Sequence, residues 1–165
     1  MDITIREAKE TDIEQLTRIY NWAVENTTAS FDFTAQTVEE RLEWFHHYGG
    51  VYPLIVAEAD GRIAGYSSLS KFRQKEGYAR TVEISVYVDP EYHGKGIGTL
   101  LMREIIDRAR KLGHHVIVAG ITGGNDVSIK MHEKFGFKFC AHFKEVGYKF
   151  NQWQDCMFYQ LILEE

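Results

Sequence analysis

The chain predicts an α/β protein in which a mixed, mostly antiparallel, twisted sheet is flanked by helices, and three observations carry that reading. Leu54–Glu58 and Arg62–Leu69 are apolar strand patterns joined at Asp60-Gly61, the signature of an antiparallel hairpin. Thr81–Val88 alternates as a strand, enters a turn with three glycines in five residues (Gly94-Lys95-Gly96-Ile97-Gly98) and leaves as an amphipathic helix. Val116–Ala119 is wholly apolar, which predicts a central strand covered on both faces. At 165 residues the chain is long enough to bury a core unaided and reads as one domain, 1–165.

The remaining elements follow in order. Ile3 and Ile5 alternate as a first strand. Thr11-Asp12-Ile13-Glu14 has the spacing of a capping box, and Leu16, Ile19, Tyr20 and Ala23 continue at helical spacing. The polar stretch Asn26–Gln36, carrying Phe31 and Phe33, reads as a loop, and Thr37-Val38-Glu39-Glu40 repeats the box before a shorter helix with Leu42, Trp44 and Phe45. After the glycine turn, Ile97, Leu101, Ile105, Ala109 and Leu112 share one helical face, and Gly113 ends the helix. A helix over 126–135 stops at Gly136, and strands are expected through Phe137–Phe143 and Cys156–Leu163.

Composition excludes several classes. A formal net charge of −5 without a basic stripe argues against nucleic acid as partner. No apolar run has membrane-spanning length and the start, Met1-Asp2-Ile3-Thr4-Ile5-Arg6, lacks a signal region, so a cytoplasmic protein without membrane partners is expected. Cys140 and Cys156 lack metal or redox spacing and read as buried thiols, not a disulfide. The pairs His46-His47 and His114-His115 have no accompanying ligands, so no metal is expected.

The glycine turn is the chemical signal. It stacks backbone N–H groups at the positive end of a helix, a cradle for phosphate or pyrophosphate. The dinucleotide fingerprint does not fit, because the glycine order differs and Val116–Ile121 carries no carboxylate for a ribose. The P-loop does not fit either, since no Lys-Ser/Thr pair follows.

His93-Gly94-Lys95-Gly96-Ile97-Gly98 resembles the acyl-CoA pyrophosphate loop of the GCN5-related N-acetyltransferases (GNAT), with His93 where Arg or Gln is usual. Asn125-Asp126-Val127-Ser128 and His132–Phe137 are similar to that superfamily's second motif. Asn21, Asn26–Ala29, Thr81–Val88, Ser128–Phe137, Gly147–Phe150, Trp153 and Asp155 further resemble its phosphinothricin and methionine sulfoximine acetyltransferase branch. The resemblance implies the GNAT fold and acetyl-CoA as cosubstrate. Val86, Tyr87 and Val88 would present backbone to the pantetheine arm, Gly94, Lys95, Gly96, Ile97, Gly98 and Thr99 would hold the pyrophosphate, and Asn125 would cap its helix and reach the CoA side. A bulge near the end of the Thr81–Val88 strand would splay it from its neighbour.

Acetyl transfer to an amine needs a base for the ammonium, stabilisation of the thioester oxygen, and a proton for the departing thiolate. Glu83 is the candidate base: alternation places Glu83, Ser85 and Tyr87 on one face of their strand, although a lone acid there is equally a solvated carboxylate. The branch resemblance favours the base. His132 stands where many relatives carry a thiolate-protonating Tyr; the alternative is an interfacial histidine. A covalent route through Cys140 or Cys156 lacks a neighbouring base, so direct transfer is expected.

By resemblance, the loop Phe72, Arg73, Gln74, Lys75 and Tyr78 helps to bind a small amino-acid acceptor together with Glu83; Arg73 is a candidate clamp for the carboxylate and Lys75 for a phosphinate or sulfoximine oxygen, the alternative being a solvated charged loop. Phe31, Phe33, Tyr78, Phe150 and Trp153 are candidate pocket walls, with core or dimer-contact roles as alternatives. The resemblance also implies a homodimer with pockets near the interface, Val146–Trp153 being the candidate crossing segment. Two rivals remain: acetylation of a protein N-terminus, and a non-catalytic CoA-binding module.

Overall fold

The seven segments that read as strands form one sheet. In a computed structural model describing residues 1–164, β1 (Ile3–Glu7), β2 (Leu54–Ala59), β3 (Arg62–Lys71), β4 (Thr81–Val88), β5 (Val116–Thr122), β6 (Lys138–Lys149) and β7 (Gln152–Ile162) lie in the order β1-β2-β3-β4-β5-β7-β6. Every neighbouring pair is antiparallel except β4–β5. The mixed, mostly antiparallel sheet is therefore as expected.

Four helices cover it: α1 (Ile13–Asn26), α2 (Val38–Phe45), α3 (Ile97–Lys111) and α4 (Asp126–Lys134). The two-residue period of β2 assigns the faces. Ile55, Ala57 and Ala59 join the α3 core with Leu101, Met102 and Ile105, while Leu54 and Val56 join the α1 core with Ile13, Leu16 and Ile19. Ile129 and Met131 of α4 pack on the α3 side.

Local signals behaved unevenly. Thr37 Oγ1 accepts from Glu40 N–H at 3.1 Å while Glu40 Oε1 accepts from Thr37 N–H at 3.0 Å, forming the expected capping box of α2. The box expected at Thr11 does not form. Glu10–Asp12 is a 3₁₀ turn instead, because the buried Asp12 carboxylate accepts from Lys9 N–H (2.8 Å) and from Arg6 (2.8 Å). Gly113 ends α3 with φ 84° as expected, yet Leu112 at its end is 37% exposed rather than on the packed face. The strand at 116–119 is central but not doubly covered: Ile117 and Ala119 are buried, whereas Val116 and Val118 are half-buried on the other face. The last two strands run longer than their apolar cores, meeting in a turn at Phe150-Asn151, both with positive φ.

Candidate active site

The site begins where two strands part. β4 and β5 pair at only three positions, Thr81↔Val116, Val82↔Ile117 and Glu83↔Val118. Beyond Glu83, β4 continues with β3 while β5 continues with β7. The β3–β4 register is unbroken from Gly65↔Val88 to Lys71↔Val82, so the bulge expected in β4 is absent. The splay comes from divergence after three pairs, which leaves Ile84–Val88 without a strand partner on the β5 side. A cleft of about 690 Å³ fills the gap, lined by Ile84–Val88 and Ala119–Thr122. Its far end is closed by Gly94, Gly96–Thr99 and the α4 residues Ser128, Met131 and His132, with Asn125.

The glycine turn forms the cradle that its sequence suggests. Asp89 anchors it: the carboxylate accepts from Glu91 N–H (2.9 Å) and pairs with Arg18 of α1 (3.3 Å). Gly96 is the N-cap of α3 at φ 81°, a conformation L side chains rarely adopt, and no side chain caps the helix. Helical bonding starts with Leu100 N–H to the Gly96 carbonyl (3.2 Å), leaving the N–H groups of Ile97, Gly98 and Thr99 ahead of the ladder. Gly98 serves a different need, since a Cβ there would lie 3.2 Å from Met131 Sδ, where α4 crosses. No heavy atom lies within 4 Å of where a Cβ would stand on Gly94 or Gly96, so the turn has open space over its N–H groups. That arrangement fits a pyrophosphate. The His93 ring bonds the Val88 carbonyl (3.0 Å) and stacks edge-on to Trp22, which ties the turn to the strand end. Lys95 points over Tyr92 and its side chain does not line the cleft.

Asn125 caps α4 through Oδ1, accepting from Ser128 N–H at 3.2 Å, and lines the cleft. His132 is buried, stands edge-on to Phe137, and its Nδ1 donates to the Ser128 carbonyl at 2.7 Å. Burial pushes its pKa below the ordinary histidine value, the backbone bond opposing only in part. The ring is therefore neutral near pH 7, with Nε2 as its acceptor nitrogen.

Glu83 occupies the last β4–β5 pair, at the apex of the splay. It is half-buried, and burial raises its carboxyl pKa above the ordinary range. Its neighbours Ile84 and Ser85 line the cleft, while Glu83 itself lines no described cavity. Cys156 is half-buried, and burial together with the Glu83 charge raises its thiol pKa, the opposite of an activated nucleophile. Cys140 is exposed, contrary to expectation, because its stretch of β6 is an uncovered edge.

The acceptor side departs most from expectation. Arg73, Gln74, Lys75 and Tyr78 are exposed and Phe72 is half-buried, and none of the five lines a described cavity. The Arg73 guanidinium lies 5.1 Å from the Phe72 ring centroid and 5.9 Å from that of Tyr78. Phe31, Phe33, Tyr78, Phe150 and Trp153 are all exposed, so none is a core residue. What sequence reasoning missed is a second cavity of about 380 Å³ over the α1–α2 face, lined by Arg41, Tyr48, Ser68, Ser70 and, shared with the cleft, Ser85 and Tyr87. No spacing rule marks these residues.

The model of the Acetyltransferase (GNAT) family matches residues 16–137, which contain the splay, the cradle and α4. The chain belongs to the GNAT family. It is 42% identical to the L-methionine sulfoximine/L-methionine sulfone acetyltransferase of Salmonella typhimurium, over 99% of this chain and 96% of that one. The structure of a phosphinothricin acetyltransferase from Sinorhizobium meliloti in complex with acetyl-CoA matches with TM-score 0.95 at 35% identity, over 99% of this chain and 89% of that one. A structure named ribosomal-protein-alanine N-acetyltransferase, from Brucella melitensis, matches with TM-score 0.95 at 43% identity, over 97% and 99%. This GNAT protein is an acetyl-CoA-dependent N-acetyltransferase, and the glycine cradle fits that cosubstrate. No group of three or more His, Cys, Asp or Glu able to hold a metal occurs among the described residues. No helix among them is long and apolar enough to cross a membrane.

Proposed function

We propose that the enzyme acetylates the amino group of a small amino-acid-like acceptor, of the methionine sulfoximine, methionine sulfone or phosphinothricin type, by direct transfer with Glu83 as general base. The observation that carries the mechanism is Glu83 itself: a half-buried carboxylate with raised pKa, placed where β4 and β5 part. The substrate class rests on what the Salmonella and Sinorhizobium relatives are named for.

Acetyl-CoA supplies the acetyl group as a thioester. Ile97–Thr99 N–H groups hold its pyrophosphate, and the unpartnered edge of Val86–Val88 aligns the pantetheine arm. Glu83 accepts a proton from the acceptor's ammonium, freeing the lone pair; as the C–N bond forms, the C–S bond breaks and the thiolate leaves. As the C–N bond forms the attacking nitrogen becomes acidic, and His132, neutral with Nε2 free to accept, takes the second proton from that nitrogen and passes it to the departing thiolate. Arg73, on the exposed loop, takes the acceptor's carboxylate. The exposed aromatics Tyr148, Phe150 and Trp153 on the β6–β7 hairpin support a homodimer, which light scattering after size exclusion would test.

Acetylation of a protein N-terminus is a second reading, favoured by the name of the Brucella relative. Thiol release from acetyl-CoA, measured across amino acids, their sulfone and phosphinate analogues and short peptides, separates the two. Release with peptides and none with amino-acid analogues would reject the small-acceptor reading.

A further inference from the structure

Among the groups the mechanism leaves unused, Arg41 is the most demanding. Its residue is 3% exposed, and its guanidinium lies 4.1 Å from the Tyr20 ring centroid and 3.5 Å from that of Trp44. Nη2 donates to Tyr66 Oη at 3.2 Å and Nη1 reaches Gln36 Oε1 at 3.5 Å, while Nε has no partner. No carboxylate among the described residues forms an ion pair with it. A buried cation without counter-charge is costly, and cation–π contacts on its two faces offset that only in part. Its unfilled demand lies in the guanidinium plane, where oxygen acceptors bind best.

The cavity beside it is built for oxygen. Tyr48 Oη bonds Ser70 Oγ (2.8 Å) and donates to Ser68 Oγ (3.4 Å), so a run of hydroxyls leads along the sheet from the catalytic end. The register orients that run. Ser70 pairs with Glu83, Ser68 with Ser85 and Tyr66 with Tyr87, successive pairs on this face lying about 7 Å apart. Arg41 bonds the hydroxyl of Tyr66, so it belongs to the far end, and the cavity meets the acetyl cleft at Ser85 and Tyr87. Asp32 and Glu40 also line it but are exposed at its mouth, each already accepting a hydrogen bond, from Tyr20 Oη and from Thr37 N–H.

Resting on the small-acceptor reading, we propose that this cavity receives the oxygen-bearing head of the acceptor's side chain, several bonds from the reacting amine, and that Arg41 determines specificity for it. The head is a sulfone, sulfoximine or phosphinate oxygen, with the negatively charged phosphinate gaining most from Arg41. Apolar side chains of equal length are rejected because they leave the hydroxyls and the guanidinium unanswered.

The test is a cycle of enzyme against acceptor. Wild type, Arg41→Gln and Ser70→Ala are assayed with phosphinothricin, methionine sulfone and norleucine, and with the carboxamide of methionine sulfone. Wild type should favour phosphinothricin and methionine sulfone over norleucine by at least tenfold in kcat/KM. Arg41→Gln should erase most of that preference, mainly through acceptor KM and most for phosphinothricin, with acetyl-CoA KM unchanged. Ser70→Ala should reduce it severalfold, and it keeps the proposal testable if Arg41→Gln does not fold. An undiminished preference in the folded variants overturns the inference. So does an Arg41→Gln penalty that is equal for norleucine and vanishes with the carboxamide, since Arg41 would then read the α-carboxylate. A wild type that acetylates none of these acceptors rejects the small-acceptor reading instead.

Discussion

The donor end of the cleft takes its cradle from backbone at Val86–Val88, Gly94 and Gly96–Thr99, closed by Asn125 and by Ser128, Met131 and His132 of α4, whereas the cavity over α1 and α2 is made of side chains drawn mainly from α1, α2, β3 and β4. The first is proposed to bind a ligand part shared by every acyl-CoA, through N–H groups whose positions depend on φ at two glycines. The second presents hydroxyls and one buried guanidinium, whose positions depend on how four elements pack. Backbone sites of the first kind tolerate side-chain change except where a glycine is required. Side-chain sites of the second kind change specificity with single substitutions. The two ends should therefore fail separately.

The largest expected effect lies between them. Glu83→Gln should lower kcat/KM by about 10²–10⁴-fold while moving acetyl-CoA affinity little, in steady-state kinetics paired with calorimetric binding. Because burial raises the Glu83 pKa, the base is lost as pH falls from above the ordinary carboxylate range. The acid limb of kcat/KM should accordingly sit higher than that of an exposed glutamate and disappear in the variant. Retained wild-type turnover would remove Glu83 from the mechanism.

At the donor end, Gly96→Ala forces an L residue to φ 81° and should raise acetyl-CoA KM by about tenfold, from strain of roughly 1–2 kcal/mol, with acceptor KM untouched. A shift in acceptor KM of equal size would break the separation. His132→Ala should reduce kcat by about tenfold, within the range of a lost proton carrier, and affect acetyl-CoA affinity less. Its lowered pKa carries a stability sign: the unfolded chain binds a proton more readily, so stability rises with pH through the histidine range and is lost as pH falls. Melting temperatures across that range should be flatter in the variant.

The smallest effect tests the α1–α2 scaffold. Thr37→Ala removes the cap of α2 and should cost about 1 kcal/mol of stability. Since α2 carries Arg41, acceptor KM should rise slightly while acetyl-CoA KM holds; the reverse pattern would mean that α2 supports the donor end.

Legibility followed the same division. The cradle was readable because Gly94 and Gly96 announce a conformation that other residues resist, and the capping box at Thr37 because its two bonds close within four residues. Thr11 shows the limit: the spacing matched, but Arg6 and Lys9 claimed Asp12 and the first turn became 3₁₀. The loop Phe72–Tyr78 was assigned to the acceptor by resemblance, yet by itself it stands in solvent.

By itself the sequence determined the α/β class, the helix faces, the glycine cradle and the alternation that puts Glu83, Ser85 and Tyr87 together, since each depends on periodicity or on the φ of a single residue. Only the tertiary structure decided where β4 and β5 part, that Glu83 stands at that point, that His132 is buried and neutral, and that Arg41 lies beside a wall of hydroxyls with no ion-pair partner among the described residues. Those facts depend on which strand loses its partner and which side chains lose water, and neither is written in local spacing.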